Sequence, residues 1–172
     1  MMNRVISKDG TSIAYERLGR GPAVIMVTGG LDDGSENAPL ARELATHFTV
    51  YNYARRGRGD SGDTLPYAVE REIEDIAALI TSAGGKAHLY GVSSGGALVL
   101  EAAMAGTAGD KLAVYEVPHD TAEATAEQQR AYVERLDALL AESRRDDALE
   151  LFMRLAGSPD EQIQASRNGE KQ

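Results

Sequence analysis

The 172 residues carry 18 Lys and Arg against 27 Asp and Glu, a formal charge of −9. They therefore lack the concentrated positive charge that tracks phosphates, and neither nucleic acid nor an anionic membrane is an expected partner. The absence of cysteine excludes disulfide scaffolds and thiol chemistry, and three dispersed histidines do not make a metal site, so no cofactor or metal is called for. Neither a secretion signal nor a run of about 18 apolar residues is present, so a cytoplasmic location is expected.

Two short strand-like runs flank Asp9-Gly10, a strong turn dipeptide, and predict an opening hairpin. After Gly21-Pro22 breaks the chain, Ala23-Val24-Ile25-Met26-Val27 is an unbroken apolar run, as suits a strand covered on both faces, and it ends in Thr28-Gly29-Gly30. Comparable runs recur at 48–53, 86–90 and 111–117, each preceded by a helical segment. That alternation predicts an α/β fold, a mostly parallel sheet of about six strands with flanking helices.

The clearest crossover helix spans Val69 to Ala83, with Val69, Ile73, Ile76 and Ile80 on one stripe, Glu70, Arg71, Glu74 and Asp75 outside it, and Gly84-Gly85 as its stop. Segment 94–105 is apolar nearly all round and reads as a helix covered on most sides. Beyond Pro118 the pattern changes. Residues 120–172 hold 12 acids against 7 Lys and Arg, with helical apolar stripes at Tyr132, Leu136, Leu139 and Leu140 and at Leu149, Phe152 and Met153. The expected division is a core over 1–118 and a helical, surface-lying segment over 119–172.

Chemistry concentrates at Leu89-Tyr90-Gly91-Val92-Ser93-Ser94-Gly95-Gly96, a G-x-S-x-G pattern between a predicted strand and a predicted helix. Such a turn strains the Ser93 backbone and lifts its hydroxyl off the sheet end, and its glycines are needed because a Cβ there would strike the neighbouring helix and strand. Ser93 is the candidate nucleophile. Ser94 would offer its backbone N–H at the helix start, where the helix dipole favours a developing oxyanion. The second oxyanion donor is assigned to Gly30, in the glycine pair after the third strand; an ordinary tight turn is the competing reading of that pair. Neither a P-loop ending nor a G-x-G-x-x-G is present, which sets aside a phosphate-binding βαβ domain.

Four stretches now bear on family: Ser7-Lys8-Asp9-Gly10-Thr11 with Ile13-Ala14-Tyr15, residues 24–30, Tyr53-Ala54-Arg55-Arg56-Gly57-Arg58-Gly59-Asp60-Ser61-Gly62, and the turn at 89–96. In order and spacing they resemble the α/β-hydrolase fold family, in its small single-domain form of esterases, lactonases and perhydrolase-like members. Two positions depart from the family pattern: Thr28 stands where His is usual, and Ala54 where an acid is usual. Both changes bear on loop geometry more than on a reacting group.

The resemblance implies a hydrolase acting on a small ester, lactone or acyl substrate through Ser93, and a cap-like role for the helical segment; a solvated helical pair with no role beyond packing is the competing reading of that segment. It also implies eight main strands and a triad ordered Ser, acid, His, whereas six strands are countable here; the expectation is an incomplete α/β-hydrolase fold, truncated after strand six and the cap helices. Glu116, just past the sixth strand, is a candidate triad acid by that resemblance or a carboxylate capping a neighbouring loop. His119 is the best placed histidine for a base. His47 and His88 read as structural, because reacting groups in such sheets gather at the carboxyl ends of strands. The alternative is a catalytically silent hydrolase-like domain whose strand-six edge is completed by self-association as a homodimer.

Overall fold

The Asp9-Gly10 dipeptide reverses the chain with Gly10 at φ +88. The flanking runs, β1 (Met2–Ile6) and β2 (Ser12–Leu18), pair antiparallel as expected. This is a computed structural model, and it describes residues 2–107, 109–118 and 126–169. The described residues fall into two compact units, Met1–His119 and Asp120–Gln172.

The first unit is a six-stranded sheet in the order β1-β2-β4-β3-β5-β6. Its last four strands, β3 (Ala23–Val27), β4 (Thr49–Tyr53), β5 (His88–Val92) and β6 (Leu112–Tyr115), run mutually parallel. The apolar run over 23–27 forms a strand at those bounds, while the later runs begin one or two residues further in. The last also ends early: Glu116 takes φ +50 and leaves the ladder. The side chain of the next residue, Val117, comes down against Gly96.

Strand alternation divides the core between two faces. Ile25 and Val27 pack with Ile76 and Leu79 of α2 (Val69–Ser82) and with Leu98, Val99 and Ala102 of α3 (Ser94–Met104). Val24 and Met26 face the other way, onto Ala41 of α1 (Ala38–Leu44). Complete burial of such side chains stabilises by about 1.5–3 kcal/mol each. After β3 the chain passes through α1 to β4 on one side, then crosses through α2 to β5 on the other. The gap between the carboxyl ends of β3 and β5 is therefore the point where strand order reverses, the place where open α/β sheets form crevices.

Helix α2 ends at Gly84 and Gly85 as expected, both at positive φ, but its inward face is rotated from the apolar stripe. Glu72, Asp75, Ile76 and Leu79 are the buried residues, while Val69 is exposed. Asp75 was expected outside the stripe; it turns inward because a guanidinium meets it there.

The second unit holds α4 (Ala126–Ala141), α5 (Arg145–Leu155) and α6 (Asp160–Arg167). Leu139, Ala148 and Ile163 are its buried residues, and Arg167 bonds Asp147 at 2.6 Å and Glu150 at 2.5 Å to tie α6 to α5. Leu140 and Phe152, read as stripe residues, are exposed. The apolar pattern did not separate α6, whose single buried residue, Ile163, gives no stripe. No helix among the described residues is long and apolar enough to cross a membrane.

Candidate active site at the carboxyl end of the sheet

Val92 ends β5 and Ser94 begins α3, so Ser93 makes the whole reversal itself, at φ 53 and ψ −128. A non-glycine residue in that region is strained by roughly 1–3 kcal/mol and persists only where its surroundings over-determine it. Here they do. The Ser93 amide donates to the Tyr115 carbonyl at 2.9 Å, and the Ser93 carbonyl accepts from the Gly96 amide at 2.9 Å.

The glycines around it are required by contact. A Cβ on Gly91 would stand 2.5 Å from the Gly95 carbonyl oxygen, and one on Gly96 would stand 2.5 Å from Val117 Cγ2. A Cβ on Gly95 would overlap the carbonyl oxygens of Val27 and Thr28. Gly95 is thus the close approach that draws the start of α3 against the end of β3. On the opposite wall, Gly29 lies so near that its Cβ would be 3.6 Å from Ser93 Cβ.

Residues 28–37 follow β3 as a loop organised from within. Asp32, buried, accepts from the amides of Gly34 at 2.8 Å and Glu36 at 3.1 Å. Thr28 donates its hydroxyl to the Asp32 carbonyl at 3.2 Å, and Asn52 on β4 donates to the Gly34 carbonyl at 2.7 Å. Among the described residues, neither the Gly30 nor the Ser94 amide donates to a backbone carbonyl. Ser94 opens α3, where no intrahelical acceptor exists for its N–H.

Two consecutive arginines follow β4. Arg55 is clamped by Glu72 of α2, from Nε to Oε2 at 2.6 Å and from Nη2 to Oε1 at 2.5 Å. Its remaining nitrogen, Nη1, reaches the Ser94 hydroxyl at 3.2 Å and the Thr28 carbonyl at 3.4 Å. One guanidinium therefore spans both walls of the site. Burial works against its charge, but the hydrogen bonds and charge of Glu72 outweigh that and leave its pKa raised. Arg56 is held in the same way by Asp75, at 2.8 and 2.7 Å. The signal that could have found both pairs is two acids at i, i+3 on a helix, one turn apart, answering two consecutive arginines.

The turn after β4 closes without an acid at position 54. Ala54 is buried, and Ser61 closes the turn instead, donating to the Ala54 carbonyl at 2.6 Å and accepting from the Ala14 amide at 2.8 Å.

Glu116 stands next to Tyr115, whose carbonyl receives the Ser93 amide, so it too lies at this end of the sheet, exposed to solvent. His119 lies outside the described residues. His88 is the first residue of β5, at the far end of a strand that rises about 3.3 Å per residue, roughly 16 Å from Ser93. It packs edge-on against Phe48. His47 is exposed in the loop before β4. Among the described residues no group of three or more His, Asp or Glu is placed to hold a metal. A cleft of about 370 Å³ between the β2 and β4 side of the sheet and the loop at 33–38 does not include Ser93.

A strained serine on a strand-to-helix turn, set at the switch point of a mostly parallel sheet, defines an α/β protein built on the hydrolase plan. Residues 24–168 match the alpha/beta hydrolase family, and the chain belongs to it. It is 50% identical to an alpha/beta hydrolase from Sphaerobacter thermophilus DSM 20745, with TM-score 0.86 over 96% of this chain and 65% of that one. A thermophilic esterase from Thermogutta terrifontis is 26% identical, with TM-score 0.63 over 79% of this chain and 53% of its own. The uncharacterized hydrolase YraK of Bacillus subtilis (strain 168) is 32% identical over 103 residues, which are 58% of this chain and 38% of that protein. The chain thus spans less than two thirds of the length of each.

Proposed function

We propose that the protein is a serine hydrolase acting on a small ester, lactone or acyl substrate. The observation that carries this reading is Ser93 at φ 53 between β5 and α3, facing Gly29 across the switch point. The Ser93 hydroxyl oxygen adds to the acyl carbon, its proton passes to a base, and the carbonyl oxygen turns toward the Gly30 and Ser94 amides. Each such donor is worth about 10² to 10³ in turnover. The bond to the leaving oxygen then breaks as that oxygen takes up the proton, and water releases the acid from the acyl-enzyme in a second round. The base is His119 or a group from a second chain, and Glu116 orients it. The similarity to a Thermogutta esterase agrees with an ester substrate.

A second reading, a catalytically silent domain that self-associates, is favoured by β6. Leu112, Val114 and Tyr115 are 41%, 44% and 56% exposed along that edge strand, and an open apolar edge invites pairing.

One experiment separates the two: fluorophosphonate labelling followed by peptide mass mapping, with sedimentation equilibrium on the same sample. The hydrolase reading expects stoichiometric label on the Ser93 peptide, none in Ser93→Ala, and labelling slowed at least about a hundredfold in His119→Gln if that residue is the base. Folded protein that stays unlabelled and dimerises with concentration would overturn it in favour of the silent domain.

A further inference from the structure

Arg58 is the arginine that the ion pairs around the site leave out. Arg55 is matched by Glu72, and Arg56 by Asp75 and Asp9. Among the described residues no carboxylate lies within 4.0 Å of the Arg58 guanidinium, although the chain carries 27 acids.

Its seat is well defined. Nε donates to the Gly30 carbonyl at 2.8 Å, which fixes the plane of the guanidinium against the loop after β3. The terminal Nη1 and Nη2 groups have no protein acceptor among the described residues. Gly30 adjoins Gly29, the residue that faces Ser93, and successive Cα atoms are about 3.8 Å apart. The guanidinium, delivered from the segment after β4, is therefore held against the loop that walls the proposed acyl site. The half-buried side chain is disfavoured as a cation first by burial and then by the neighbouring Arg55 charge, which the Glu72 carboxylate on Arg55 offsets only in part. A half-buried guanidinium with no carboxylate in contact among the described residues costs stability that a bound anion would recover.

We infer that Arg58 receives a carboxylate of the substrate, so that the preferred substrates are half-esters or lactones bearing a free carboxylate a few bonds from the scissile carbonyl. The chemistry matches the geometry: a guanidinium held at Nε presents its two terminal nitrogens as a fork, and a carboxylate offers two oxygens at the spacing that fork accepts. The same contact sets the direction of binding, with the carboxylate on Arg58 and the acyl carbon over Ser93. This inference rests on the Ser93 reading for the reaction, but the anion site stands on its own contacts.

The test uses monomethyl succinate and monomethyl glutarate against dimethyl succinate, on the full chain. Direct binding is read by calorimetry, and protection of Ser93 from a neutral fluorophosphonate is read in parallel. The half-esters are expected to bind at least about tenfold more tightly than the diester, in line with a hydrogen-bonded charge pair. That preference should shrink as salt rises from roughly 0.05 to 0.5 M. Arg58→Gln should remove the preference, and Arg58→Lys should keep only part of it, having charge without the fork. Equal binding of half-ester and diester to the unaltered protein, a comparison that no folding defect can confuse, would overturn the inference. So would a preference that survives in a folded Arg58→Gln protein. If Ser93 takes no label, the hydrolase reading fails alone, and the calorimetric comparison still decides the anion site.

Discussion

At Gly95 a methyl group has nowhere to go, because the atoms it would overlap are the carbonyl oxygens of Val27 and Thr28, fixed in and just beyond β3. Alanine in a helix is better than glycine by about 1 kcal/mol, but forcing backbone apart costs typically 1–3 kcal/mol and more when neither partner can yield. Gly95→Ala is therefore expected to lower stability by about 2 kcal/mol or more in urea titration. Gly29→Ala makes the opposite case. Its Cβ would meet Ser93 Cβ at 3.6 Å and the Val92 carbonyl oxygen at 3.9 Å, ordinary contacts, and its φ is not left-handed. It should unfold within about 1 kcal/mol of the unaltered protein, yet label at Ser93 at least about tenfold more slowly, because the added methyl occupies the space in front of the hydroxyl. Equal labelling rates would mean that ligands approach Ser93 from elsewhere.

Helix α2 shows what a single element contributes to a site it does not form. Glu72 holds Arg55, and Arg55 in turn joins the Thr28 carbonyl to the Ser94 hydroxyl. With side chains 7% and 1% exposed, removing one partner strands a charge in a dry place, at a cost of about 3–5 kcal/mol. Glu72→Leu should show that loss, while the double variant Glu72→Leu, Arg55→Leu should recover much of the stability without restoring the Ser93 labelling rate. A double-mutant cycle read by both unfolding and labelling checks this. The helix also marks how far the residues could be read in advance. Its start at Val69 and its glycine stop follow from local chemistry, as do the hairpin at Asp9-Gly10 and the apolar strand at 23–27. Its buried face does not, since an apolar stripe assigns charged residues to water, and only the arginines that β4 delivers from far along the chain turn Glu72 and Asp75 inward. The Ser93 turn was visible because a glycine pattern at a strand-helix junction reports contacts within a few residues. The Arg55 bridge was not, because it joins three segments distant in sequence.

Across the whole first unit, Arg56 binds together the hairpin turn, the segment after β4, and α2. It donates to Asp9 at 2.9 Å, to Asp75 at 2.8 and 2.7 Å, and to the Arg71 carbonyl at 3.1 Å. The hydrogen bond from Arg56, followed by that from the Thr11 amide, holds the Asp9 carboxyl well below its ordinary value of 3.8. A carboxyl depressed on folding contributes stability that is fully present above its unfolded value and is lost as the pH falls through its folded one. Asp75 shifts the opposite way, because burial pushes its pKa up, so its protonation favours the fold at pH values above the ordinary 3.8, before the Asp9 contribution is lost below it. The acid limb of the unaltered protein therefore mixes the two, and only a difference isolates Asp9. Asp9→Asn keeps an oxygen for the Thr11 amide and removes the charge. Urea midpoints of the two proteins should differ by a constant amount from about pH 7 to pH 5, then converge as the pH drops below about 4. A gap that stayed equally wide at about pH 2.5 would mean that Asp9 contributes by shape and not by charge, and that the hairpin is held to α2 chiefly through Asp75.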